Sequence, residues 1–201
     1  MANLISSHSR NKDELYSAKV RDKNTIYARR RAAATTMAFG ILGIVTLNST
    51  VLDWAESWPL VVFYAALLTN TYFSVCSFAS ITPKRHMGQH LIDAILAACM
   101  ALLAFNFNSI LNFTIISTLL FIIATLKYIF LVKIAGYSKL LYMKIRIDTL
   151  GILFCFLAVI GTLLGYGQQI SVIWSIVFVL ANIYVLWWEP HYRLEAHYES
   201  R

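Results

Sequence analysis

Apolar residues along this chain follow neither the two-residue period of a half-buried strand nor the one-sided stripe of a surface helix. They run on in six blocks, at 32–52, 59–81, 91–107, 110–132, 147–164 and 170–188, separated by short polar breaks. A helix needs about 20 mostly apolar residues to cross the hydrocarbon core of a bilayer. The pattern therefore predicts an all-α, polytopic integral membrane protein with six transmembrane helices read as three hairpins. The third and fifth blocks are short, and each is extended by a polar turn at its basic end. The prolines Pro59, Pro83 and Pro190 all fall at predicted helix ends, where a missing N–H costs least. The connections are too brief to hold a soluble domain.

Composition agrees with this class. The 201 residues are 59% hydrophobic and 13% charged, against about 45–50% and 25% in a soluble domain. Mean hydropathy is +0.64. So little charge cannot cover a water-exposed surface, which excludes a soluble enzyme, a coiled coil and a disordered chain. Cys76, Cys99 and Cys155 are dispersed within apolar blocks. Their odd number and spacing speak against a disulfide framework or a thiolate metal site and for small apolar core residues.

The net charge of +7 acquires its meaning from where the cations lie. Eight of the 17 Lys and Arg precede the first block, ending in Arg29, Arg30 and Arg31. Lys84 and Arg85 lie between blocks two and three; Lys133, Lys139, Lys144 and Arg146 between four and five; Arg193 and Arg201 in the tail. The opposite connections carry Asp53 and Glu56 instead. By the positive-inside rule both termini are expected in the cytoplasm, or on the matrix side of an organelle membrane. A bacterial inner membrane is the expected location, with an organelle membrane the alternative. The chain divides into a basic N-terminal arm at 1–31, a six-helix domain at 32–188 and a cytoplasmic tail at 189–201. The arm shows no apolar signal-peptide core. From residue 10 it reads either as an interfacial helix on anionic lipid or as a solvated basic tail. Arg29, Arg30 and Arg31 are the expected headgroup contacts, the anionic bilayer is the expected partner, and nucleic acid is not expected. Trp54, Trp58, Trp187 and Trp188 stand at predicted membrane–water boundaries.

Polar groups at membrane depth are the candidates for function, because they are costly there. Lys127 lies six residues before Lys133, about 9 Å inside the basic boundary at about 1.5 Å per residue. Asp93 and Asp148 enter from the same side. A Lys127–Asp93 or Lys127–Asp148 pair would neutralise both charges and serve as a proton or ion relay. Alternatively Lys127 snorkels to the headgroups and the two aspartates favour helix N-termini. Asn70, Asn182 and Tyr72, with Asn48, Tyr128 and Tyr184, are either interhelical glue or the lining of a polar path. The runs 87–93 and 143–148 both place Met, a basic or potentially basic residue and Ile-Asp at a helix start. That is either an internal repeat of the kind transporters use or a coincidence of apolar composition.

His86, His90 and Asp93 stand at i, i+4 and i+7, one helical face, where two imidazoles and a carboxylate suit a divalent metal. Beside Lys84 and Arg85 the same histidines read equally as part of the basic boundary. Gly165-Tyr166-Gly167 after Thr162 has one residue too many for a potassium filter and reads as a helix stop and tight turn. No nucleophile elbow, phosphate loop or dinucleotide fingerprint occurs. Movement of a small solute or ion is the leading expectation. A non-catalytic membrane subunit, sensor or effector, working as a homo-oligomer or with a partner subunit, is the alternative, and a metal-dependent membrane enzyme is the third.

Overall fold

A computed structural model describes residues 26–49, 54–78, 87–135 and 139–188 of the chain. Apart from the turn at 105–109 these residues are helical throughout. In chain order the helices are α1 (Ile26–Ser49), α2 (Trp54–Phe78), α3 (Met87–Ala104), α4 (Ile110–Ala135), α5 (Lys139–Gly161) and α6 (Gly167–Ile183). Five helical stretches are long and apolar enough to cross a membrane, the last being the 48 residues Lys139–Leu186. That stretch contains a break. The last turn of α5 loosens into a π-helical turn, Thr162–Tyr166, in which Gly165 takes φ 91°. A Cβ built on Gly161 would lie 2.7 Å from Ile170 Cγ1, whereas nine residues of continuous helix advance about 13.5 Å. The chain therefore turns back at Gly165, as expected of a glycine stop.

Helix boundaries differ from the apolar blocks in an informative way. α1 starts six residues before block one and takes Arg29, Arg30 and Arg31 into its first turns. The basic stretch 133–146, expected as a connection, is helix except at 136–138, which lie outside the described residues: Lys133 ends α4, and Lys139, Lys144 and Arg146 are on α5. A helix can run on past its apolar block because long basic side chains lay their stems along apolar neighbours. Pro59, expected at a helix start, is the sixth residue of α2. It has no N–H to give to Ala55 O, four residues back. Gln168 Nε2 of α6 donates to that carbonyl at 3.0 Å, and Ser175 Oγ donates to Pro59 O at 2.6 Å.

The many hydroxyls are handled locally. Thr46, Thr69, Thr71, Thr114, Thr118, Thr125, Thr149 and Thr162 each donate to the carbonyl four residues back on their own helix. A hydroxyl paired in this way can remain among apolar groups. Between α3 and α4, Ser109 Oγ accepts from Asn112 N at 3.3 Å, an N-cap contact.

Among α2 to α6 the most extensive packing is between α4 and α5, followed by α2 with α6 and α3 with α4. The main core is aromatic. Phe63 of α2 stacks on Trp174 at 3.8 Å and on Phe178 at 4.1 Å, both of α6, and meets Phe113 of α4 edge-on at 5.8 Å. Tyr64 bonds Phe39 O of α1 at 3.1 Å. A Cβ on Gly43 would come 2.8 Å from the Tyr64 ring, so the α1–α2 approach needs a glycine there. A second, smaller cluster of Phe78, Tyr128, Leu131, Leu140 and Leu141 sits at the opposite end, where α2 and α4 finish and α5 begins.

Candidate functional site

A layer of charge lies between these two apolar clusters. Four ionisable side chains on α3, α4 and α5 form it. Lys127 Nζ of α4 is 2.7 Å from Asp93 Oδ1 of α3. Lys144 Nζ of α5 is 2.8 Å from Asp148 Oδ1, one turn along the same helix. Counted from their helix ends, Asp93, Lys127, Lys144 and Asp148 lie about 7–14 Å into the bundle. Asp148 retains 1% exposure and Lys144 7%, while Lys127 and Asp93 retain 16% and 22%. One pair is thus enclosed and the other partly open.

Tyr128 joins the two pairs. Its ring centroid lies 6.0 Å from Lys127 Nζ and 5.7 Å from Lys144 Nζ, both within cation–π range. Its hydroxyl is 2.5 Å from Ser74 Oγ of α2, which ties a fourth helix to the layer. Gln89, fully buried on α3, turns its amide toward Asp93 Oδ1 at 3.5 Å. Arg31 of α1 reaches Asp93 Oδ2, also at 3.5 Å. Five helices therefore send a polar side chain to one level of the bundle. Two acceptors there are buried without a donor among the described residues, Asp148 Oδ2 and Gln89 Oε1.

Of the residues singled out from sequence, Lys127 and Asp93 stand together. Asp148 takes Lys144 as its direct partner rather than Lys127. Asn70 and Asn182 line a separate cleft of about 370 Å³ between α5, α6, α2 and α4. Asn182 Nδ2 also donates to Phe178 O on its own helix. Tyr72 is not among that lining; it is half-buried, with its ring edge-on to Phe73 at 5.4 Å. His86 lies outside the described residues, as do the arm up to residue 25 and the tail from 189. His90 is exposed, and Asp93 is engaged by Lys127, Arg31 and Gln89. Among the described residues no three His, Cys, Asp or Glu gather as a metal site would require. Arg29, Arg30 and Arg31 are exposed at the start of α1.

Sequence reasoning placed Lys144 in a connection and missed its pairing. The signal was present, since Lys144 and Asp148 are four apart and face each other once the stretch is helical. Ser74 and Gln89 carry no such signal, because only the packing of α2 on α4 and of α3 on α4 brings them to the layer.

Compared with family models, with curated proteins and with solved structures, the chain matches none.

Proposed function

We propose that the protein is a six-crossing membrane protein, with both ends on the basic side, that moves a proton, small cation or small polar solute through the charged layer. The observation that carries the reading is the enclosed Lys144–Asp148 pair beside the more open Lys127–Asp93 pair. Ionised groups at membrane depth are costly and are retained where function needs them. Two lysines and two aspartates balance within the two pairs, and Arg31 at the edge of the layer adds one positive charge. In this reading Asp93 receives the moving charge, and Asp148 passes it on through its open oxygen. Lys127 and Lys144 stay as resident counter-charges. The Leu131, Leu140, Leu141 and Phe78 cluster closes one side and the aromatic core the other, so passage requires α4 and α5 to shift against each other. A cytoplasmic membrane of a bacterium is the setting the charge pattern favours.

The test is flux into proteoliposomes across a panel of cations and pH gradients. Wild-type protein should transport. Asp93→Asn should reduce flux at least about ten-fold, the loss of about 1.4 kcal/mol in the rate-limiting step, with the melting temperature within a few degrees of wild type. Folded wild-type protein that moves neither these ions nor any of a panel of small polar solutes overturns the proposal.

A further inference from the structure

The cleft between α5 and α6 is amphipathic along its length, and nothing in the transport reading uses it. One end is polar, with Arg146, Asn182 and Asn70; the other is lined by Phe121, Cys155 and Trp174. The register of the helices fixes this gradient. Phe63 stacks on Trp174 and Phe178, so Asn70, seven residues further along α2, lies about 10 Å toward the basic end. On α5, Arg146 and Phe154 are eight residues apart, about 12 Å of helix. The cleft's long axis thus follows the helices, and the one charged side chain among the described residues that line it, Arg146, sits at the end where α1 begins with Arg29, Arg30 and Arg31. Leu150, Phe154, Ala181 and Tyr184 rim it and are exposed, so it opens sideways from the bundle. Its volume of about 370 Å³ is within the range of about 300–1,000 Å³ of small-molecule sites.

Among the described residues Arg146 has no acidic partner. Its guanidinium rests on the Tyr142 ring at 5.1 Å, and among the described residues no carboxylate comes within salt-bridge distance of it. This differs from Lys127, Lys144 and Arg31, each of which faces an aspartate. A cation left open at the mouth of an apolar slot that parallels the membrane normal is complementary to one kind of occupant. We infer that the α5–α6 cleft holds one acyl chain of an anionic phospholipid, with the phosphate at Arg146 and the amides of Asn70 and Asn182 beneath the headgroup. Arginine suits a phosphate because its planar fork donates two parallel bonds. The lipid would wedge α5 against α6 next to the α4–α5 contact, where the charged layer must yield if it is to open. The inference rests on the membrane reading but not on transport.

The full-length protein is reconstituted in nanodiscs of phosphatidylglycerol and phosphatidylcholine in equal amounts, then released into mild detergent for native mass spectrometry. Resistance to alkaline extraction is measured in parallel. Wild type should retain one phosphatidylglycerol in preference to phosphatidylcholine by about five-fold, the effect of one basic side chain at a membrane surface. Excess inorganic phosphate should leave that lipid in place, because the chain as well as the phosphate is held. Arg146→Gln should erase the preference and Arg146→Lys keep most of it. Ala181→Phe, which fills the cleft from its rim and leaves the charge, should also erase it. Extraction resistance and elution volume should be unchanged in all variants. No preference in wild type overturns the inference, as does a preference that survives Ala181→Phe, which would locate the lipid elsewhere. Dimeric protein retaining no lipid would assign the cleft to a second copy and overturn it too. Failure of wild type to resist extraction would overturn the membrane reading itself.

Discussion

At the scale of single residues, the enclosed Lys144–Asp148 pair is the most consequential feature. Two charges have been taken out of water, and each is tolerable only because of the other. Removing one partner of such a pair costs about 3–5 kcal/mol, whereas removing both is often close to neutral. Lys144→Met should therefore lower the thermal midpoint in detergent sharply, and Lys144→Met with Asp148→Leu should recover most of the loss. Equal midpoints for the single and double variants would mean that Asp148 is already neutral or hydrated. Lys127→Met should be milder, because Asp93 keeps Arg31 and 22% of its surface. Tyr128→Phe removes the bond to Ser74, worth about 1 kcal/mol, and leaves the ring between the two ammonium groups. A drop of that size, with flux retained, would mark the hydroxyl as structural.

At the scale of elements, two glycines at one turn act for different physical reasons, and substitution separates them. Gly165 has φ 91° and open space where a Cβ would go. Gly165→Ala should cost about 1–2 kcal/mol through backbone conformation alone. Gly161 has ordinary helical geometry but lies against Ile170. Gly161→Ala should cost about 1–3 kcal/mol through overpacking, and Ile170→Val beside it should relieve part of that, while leaving Gly165→Ala unaffected. Chemical denaturation of the four variants checks both statements. The turn itself was legible, because Gly-Tyr-Gly after a long apolar block reads as a helix stop. The helix over 139–146 was not. Four basic residues in fourteen resemble a connection when counted by hydropathy, yet Lys144 is buried and Arg146 lines a cleft. Periodicity could have found Lys144 through its spacing from Asp148; it could not have found Gln168, which answers Pro59 from more than a hundred residues away. Asp93 and Lys127 were recognisable because each interrupts an apolar block. That they meet depends on how α3 packs on α4, which no local pattern encodes.

At the scale of the whole molecule, the question is how often the chain crosses. The stretch Lys139–Leu186 has 48 residues. As one straight helix it would measure about 72 Å, more than twice the hydrocarbon thickness of about 30 Å. Folded back at Gly165 it makes two arms, each close to one thickness. Two crossings also bring Arg146 and Tyr184, at opposite ends of that stretch, to the same cleft. A single crossing would separate them by most of the membrane. In the proposed six-crossing reading the Lys and Arg fall on one side, and among the described residues the charged layer, Arg146 and the start of α1 are at that end of the bundle. Single cysteines introduced at Asn108, Lys139 and Tyr166, with Cys76, Cys99 and Cys155 replaced by alanine, test this arrangement in inverted and right-side-out vesicles. A membrane-impermeant maleimide should label Asn108→Cys and Tyr166→Cys from the same face and Lys139→Cys from the other. A C-terminal tag should be cleaved from the face that labels Lys139→Cys. Cleavage from the opposite face would mean that the chain crosses an odd number of times after Lys139, and the cleft and the charged layer would then have to be placed anew in the bilayer.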